Sequence, residues 1–187
     1  LAPLVYEAKD WNHGVLVGAS VGSETTAAAA GDTGIVRRDP MAMKPFCGYN
    51  FGDYWRHWLS FSKQSQNLPK IFHVNWFRQN DQGFLWPGFG ENLRVLNWII
   101  QRCQNKIDAK ETPIGYVPLK QDIDVSGLNI SSENLNELFQ IDANQWLAEM
   151  KNIKEYFDEF GERLPNELLD EHSKVIKSLK DSLHSSQ

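Results

Sequence analysis

Phe77, Phe84, Phe89 and Asn92 lie within one stretch, Val74-Asn75-Trp76-Phe77-Arg78-Gln79-Asn80-Asp81-Gln82-Gly83-Phe84-Leu85-Trp86-Pro87-Gly88-Phe89-Gly90-Glu91-Asn92. A surface connection has little reason to carry so many large rings, because loops run where their backbone polar groups meet water. The rings therefore either pack inward beneath the loop or hold a flat ligand, and composition leaves both open. As a ligand site, aromatic faces stack on a heterocyclic base for about 1–3 kcal/mol each. Glycines such as Gly88 let backbone approach the edge of that base. Asn92 adds an amide with both donor and acceptor; guanine presents O6 as acceptor and N1–H and its amine as donors, and adenine the opposite pattern. Residue chemistry alone does not choose between the two bases.

The elements that must position this stretch are readable from pattern. Ile71 to Phe77 is a strand by its β-formers. Val95, Leu96, Ile99, Ile100 and Cys103 share one helical face, which places a helix from Glu91 or Asn92 to about Gln104. Asn92 then lies in or beside the first turn, where free N–H groups and the helix dipole favour an acceptor-rich partner. Upstream, Leu4-Val5-Tyr6-Glu7-Ala8 and Gly14-Val15-Leu16-Val17-Gly18-Ala19 read as strands.

Ser23-Glu24-Thr25-Thr26-Ala27-Ala28-Ala29-Ala30-Gly31-Asp32-Thr33-Gly34 holds no large apolar side chain. It reads either as a short alanine-rich helix capped by Ser23 or as a mobile lid, since little side chain is available to hold it down. Arg37, Arg38 and Lys44 form a basic cluster, better explained by salt-bridge partners than by a phosphate contact. Asn50 to Phe61 is an amphipathic helix whose Phe51, Tyr54, Trp55, Trp58 and Leu59 face a core.

The rest of the chain is largely helical. Pro113 to Pro118 is one short extended piece. Ser131 or Ser132 caps a helix bearing Leu135, Leu138 and Phe139, and Asp142 with Gln145 caps another that ends at Gly161. A last helix starts near Pro165, with His172 on its apolar stripe as a boundary histidine rather than a ligand.

With 187 residues, 41% of them hydrophobic and 23% charged, the chain can bury a core. A net charge of −5 argues against binding nucleic acid by phosphate neutralisation. Cys47 and Cys103 stand far apart without metal-ligand spacing, so a reduced, intracellular protein is expected. No apolar run approaches the roughly 20 residues of a membrane span, so no membrane association is expected either. The first residues read as the middle of a longer polypeptide. Neither a GxxxxGK[ST] or GxGxxG loop nor an HExxH or GxSxG motif occurs.

Several of these segments together resemble the C-terminal part of the GTP-dependent phosphoenolpyruvate carboxykinase family. The resemblance is carried by Leu4-Val5-Tyr6-Glu7-Ala8, Trp11 with His13-Gly14-Val15, Ser23-Glu24 with Thr26-Ala27-Ala28-Ala29, Asp39-Pro40 with Ala42-Met43, Phe46 with Gly48-Tyr49-Asn50, Thr112-Pro113-Ile114-Gly115 and, most specifically, the block from Ile71 to Asn92. It covers residues 1–120 densely and the helical tail loosely.

That resemblance implies an α/β fold, a mixed β-sheet with packed helices and a helical C-terminal tail. Residues 1–120 would be a partial nucleotide-binding domain, and 121–187 a helical C-terminal region. It implies a cytoplasmic or mitochondrial gluconeogenic lyase, for which a cytoplasmic location is taken. Oxaloacetate and GTP become phosphoenolpyruvate, CO2 and GDP, with Mn2+ and Mg2+ as metals. Phe77, Phe84, Gly88, Phe89 and Asn92 match the nucleotide-binding positions. Residues 25–35 match the Ω-loop lid, with Ser23 and Glu24 at its entrance and Thr25, Thr26, Ala27, Ala28, Ala29, Ala30, Gly31, Asp32, Thr33, Gly34 and Ile35 within it. The phosphate loop, the metal ligands, the reactive cysteine and the substrate arginines would lie in a missing N-terminal part, leaving no catalytic residue here and the segment inactive alone. Gly22, residues 30–33 and Arg37-Arg38 depart from the family pattern and bear on the lid. Against this stand two non-enzymatic alternatives, an aromatic-rich nucleotide or nucleic-acid binding module and a helical interaction domain on residues 131–187.

Overall fold

The computed structural model describes residues 1–24 and 36–185, in two compact units that interleave along the chain. One comprises Leu1–Lys9, Lys70–Trp146 and Ser178–Gln187, the other Asp10–Pro69 and Leu147–Lys177. Sheets and packed helices occur together, the expected α/β combination, and each ladder among the described residues is antiparallel.

The first unit is built on β1 (Val5–Glu7), buried along its whole length. It pairs with β4 (Phe72–Val74) on one side and β8 (Gly115–Val117) on the other, and β8 pairs with β7 (Lys110–Thr112). The register sets Val5 opposite Val74, Tyr6 opposite His73 and Glu7 opposite Phe72. Expected as a single extended piece, the segment around Pro113 is instead a tight hairpin, with Thr112 opposite Gly115. Gly115 has φ +135°, and a Cβ there would stand 2.4 Å from the Glu7 carbonyl oxygen, so only glycine allows the strands to close. Glu7 is a buried carboxylate held by Arg102 Nε at 2.6 Å and Lys70 Nζ at 2.9 Å. The core beneath the sheet comprises Leu4, Val5, Leu85, Trp86, Val95, Trp98, Ile123 and Leu138. It draws on α3 (Asn92–Cys103) and on α4 (Ser132–Phe139), whose N-cap Ser131 accepts from the Asn134 N–H as expected.

The second unit corrects one strand. Gly14 to Ala19 lies in α1 (Trp11–Ala19), not in a strand. Asp10 caps it, its side chain accepting from the His13 N–H, and His13, Gly14, Val15, Leu16, Val17 and Ala19 are all buried. A helix buried nearly all round has no polar face to display a period, so its short apolar run reads equally as a strand.

α1 packs on α2 (Phe51–Gln64), where Asn50 accepts from the Gly52 N–H as the N-cap. Trp11 stacks on Trp58 at 5.4 Å and 12°, and its indole N–H donates to the Trp58 carbonyl. Trp55 is fully buried among Tyr156, Phe157 and Phe160.

Those three rings belong to the segment of α5 (Ala143–Asp158) and the turn after it. Asp142 caps α5 through the Asn144 and Gln145 N–H groups, and α6 (Asn166–His184) follows. His172 is buried and bonds the Met150 carbonyl at 2.7 Å.

β2 (Gly22–Glu24) and β3 (Val36–Arg38) form a two-stranded ladder. Ser23 pairs with Arg37 and donates its hydroxyl to Asp39 Oδ2 at 2.8 Å. Residues 25–35, for which an alanine-rich helix or a lid is expected, lie outside the described residues. Arg38 reaches Glu149 at 2.7 Å and the Ser20 carbonyl at 2.9 Å, so this member of the basic cluster has a salt-bridge partner.

Candidate functional site

β4 carries the chain out of the core, and Asn75 fastens its end. The Asn75 N–H donates to the Leu4 carbonyl, its side-chain amide donates to the Ala2 carbonyl, and its Oδ1 accepts from the Phe77 N–H. The chain then doubles back between β5 (Gln79–Asn80) and β6 (Gly83–Phe84), with Gln79 opposite Phe84. Asn80 closes this turn by accepting from the Gln82 N–H, and Gly83 takes φ +116°.

Two neighbours in sequence anchor the loop from beneath. Leu85 and Trp86 are 3% and 1% exposed and belong to the core. The Leu85 N–H donates to the Arg78 carbonyl, and Arg78 reaches the Gln140 carbonyl. Burial lowers the pKa of the Arg78 guanidinium from its ordinary value, while Glu137 acts against that shift. Gly88 turns the chain at φ +115°, a backbone conformation that side-chain-bearing residues rarely adopt, and a short 3-10 turn, Phe89–Glu91, enters α3. The Glu91 N–H bonds the Gly88 carbonyl; its carboxylate holds Arg94 Nε at 2.6 Å, and Arg94 reaches the Asp124 carbonyl.

On this scaffold the predicted rings do not pack inward. Phe77, Phe84 and Phe89 are 72%, 64% and 92% exposed. Phe77 and Phe84 meet edge to face, with centroids 6.1 Å apart at 65°. An exposed phenyl ring forgoes about 1.5–3 kcal/mol of burial, and these three do so next to neighbours, Leu85 and Trp86, that are core. Asn92 stands half-buried at the start of α3, and its Oδ1 accepts from Trp86 Nε1 at 2.9 Å. Sequence reasoning missed this bond, because the pair is six residues apart across a turn and a helix start. The usable signal is that a buried tryptophan usually finds an acceptor for its N–H.

The arrangement offers stacking faces and a donor amide, which is recognition chemistry. Among the described residues no three His, Cys, Asp or Glu side chains converge to hold a metal ion. Cys47 is half-buried, its thiol directed at the Tyr49 carbonyl, and Cys103 is exposed. Among the described residues no helix is long and apolar enough to cross a membrane.

Residues 1–178 match the family model described as phosphoenolpyruvate carboxykinase C-terminal P-loop domain. Among curated proteins the chain is similar to GTP-type phosphoenolpyruvate carboxykinases. It is 55% identical to that of Thermoplasma volcanium over 180 residues, 53% to that of Renibacterium salmoninarum over 184, and 54% to that of Chlamydia pneumoniae over 182. These matches take in 96–97% of this chain and 30% of each relative, so the chain spans about 30% of the length of the curated relatives it matches. The chain belongs to the phosphoenolpyruvate carboxykinase C-terminal domain family.

Proposed function

We propose that this chain supplies the guanine half of the nucleotide site of a GTP-dependent phosphoenolpyruvate carboxykinase. Such an enzyme converts oxaloacetate and GTP to phosphoenolpyruvate, CO2 and GDP in gluconeogenesis. The observation that carries the reading is the outward display of Phe77, Phe84 and Phe89 from a loop that ends at an amide whose oxygen is already engaged. Exposed aromatic faces bind a planar base by stacking, and the amide reads its edge. Gly88 holds the turn between these two features, and residues 25–35, with Ser23 and Glu24 leading in, are assigned to the lid of the same enzyme.

In this reading the γ-phosphate chemistry falls to residues that the longer relatives carry elsewhere in their length. Mn2+ and Mg2+ belong to that chemistry, and the described residues bring together no group of three His, Cys, Asp or Glu side chains to hold them. Further partners are the substrates oxaloacetate and phosphoenolpyruvate and the remainder of the enzyme; a cytoplasmic setting accords with it. The net charge of −5 favours a mononucleotide over a nucleic acid.

Saturation-transfer NMR with guanosine and GMP, against adenosine and AMP, tests the reading on this chain. Guanine compounds should receive saturation and be displaced by GDP, with weaker transfer to adenine compounds. Equal or stronger transfer to adenine would overturn it, as would no transfer to guanine. Mixing the chain with oxaloacetate, GTP and Mn2+ should release no phosphoenolpyruvate.

A further inference from the structure

Three of the buried indoles, those of Trp55, Trp98 and Trp146, have no acceptor for their N–H among the described residues. Trp86, only 1% exposed, does have one, and it is Asn92 Oδ1 at 2.9 Å. An indole N–H can only donate, so the atom it meets on Asn92 must be the amide oxygen. Nδ2, with its two hydrogens, takes no part in that bond and is left to donate elsewhere.

We propose that Trp86 is a positioning residue that fixes the polarity of base reading, making Asn92 a donor toward the ligand and matching it to a 6-oxo purine. The proposal rests on the guanine reading above. A free asparagine could present either end of its amide and would accept the 6-amino group of adenine as readily as it donates to O6 of guanine. With its oxygen engaged by Trp86, Asn92 offers hydrogens to the base, which suit O6 and repel an amino group. Trp86 needs no contact with the ligand to do this. Its hold is firm because its ring is a core residue, packed with Leu85, Val95 and Trp98, while the amide it orients stands half-buried at the helix start.

The test measures GDP, IDP and ADP affinities by calorimetry for the chain and three variants, with circular dichroism confirming the fold. IDP shares the 6-oxo group and lacks the 2-amino group, so wild type should bind GDP and IDP alike and ADP more weakly. A wild type without preference for GDP over ADP would sink the guanine reading itself, separately from the role of Trp86. Trp86→Phe keeps a buried ring but frees the amide, and should lower the GDP-to-ADP ratio about fivefold to tenfold, the worth of one hydrogen bond. Asn92→Ala should lower the ratio equally, and the double variant no further. Equal weakening of GDP and ADP by Trp86→Phe would show a merely structural role and overturn the proposal.

Asn92→Asp decides the polarity even if Trp86→Phe fails to fold, because a carboxylate still accepts from Trp86 but cannot donate. It should lose the preference for 6-oxo bases. Retained or tightened GDP binding by Asn92→Asp would show that Asn92 works as an acceptor and would overturn the proposal.

Discussion

Two aromatic groups in this chain meet opposite fates. Along α2, Phe51 and Trp55 are buried and Tyr54 and Trp58 half-buried, tied edge to face or stacked to one another and to Trp11. In the loop between β4 and α3, Phe77, Phe84 and Phe89 stand out in solvent while Leu85 and Trp86, between them in sequence, are core. Residue type does not separate the two groups; backbone does. A helix repeats its direction every 3.6 residues and so gathers rings on one face, whereas a turn with glycines at φ +116° and φ +115° sends neighbours to opposite sides. Rings that a helix collects serve stability, and rings that a turn divides can be spared for a ligand.

The sharpest way to break this contrast is Trp55→Ala. Fully buried and within 4.7–6.3 Å of four other ring centroids, it should cost about 3–5 kcal/mol in urea unfolding. A loss below about 1 kcal/mol would mean that the α2 rings are as dispensable to the fold as those of the loop. Glu7 extends the same distinction to charge. Glu7→Ala leaves Arg102 and Lys70 facing a buried gap and should destabilise by about 3 kcal/mol. Lys151→Ala, which breaks an exposed pair with Glu155, should change stability by less than about 0.5 kcal/mol.

Much of this was legible in sequence, for reasons that specific residues make clear. α2, α3 and α4 announce themselves because one face meets water and the other does not, and because Asn50 and Ser131 supply caps. α1 was misread because Val15, Leu16 and Val17 have core on every side. The hairpin at Pro113-Ile114 was missed because its closure depends on Gly115 meeting Glu7, more than a hundred residues away. The candidate rings were visible as a cluster, but their direction was not: whether Phe89 faces core or solvent is decided by Gly88 and by the burial of Trp86. The Trp86–Asn92 bond is a product of tertiary placement, and spacing alone does not reveal it.

His73 connects the scaffold to pH. It stacks on Tyr6 at 5.1 Å, its Nδ1 has no partner among the described residues, and burial lowers its pKa from 6.5 to about 4. The unfolded chain therefore binds a proton between pH 6.5 and about 4 that the folded chain refuses, and stability falls as pH falls through that window. Going from pH 7 to 4.5 should cost about 2–3 kcal/mol through this group. His73→Phe, read by urea melts at both pH values, should remove that part of the acid loss; an unchanged pH dependence would exclude His73 as its source. Because His73 sits on β4, acid should loosen the strand that delivers Phe77 before it disturbs the rings of α2.

Phe89→Ala combines a small expected change in stability with the clearest separation of roles. At 92% exposed the ring has little packing to lose, so unfolding should shift by less than about 0.5 kcal/mol. Its absence should nonetheless weaken guanine nucleotide binding by about 1–3 kcal/mol if it stacks on the base. The same substitution at Phe77 has a further consequence, since Phe84, in the hairpin of β5 and β6, then loses its edge-to-face partner. Affinity should therefore drop with Phe77→Ala by more than stacking alone explains, and Phe77→Leu, which keeps bulk without a ring, should restore the hairpin but not the binding. A Phe77→Leu variant that bound GDP as well as wild type would show that the ring is there to shape the loop, and would return it to the same category as the rings of α2.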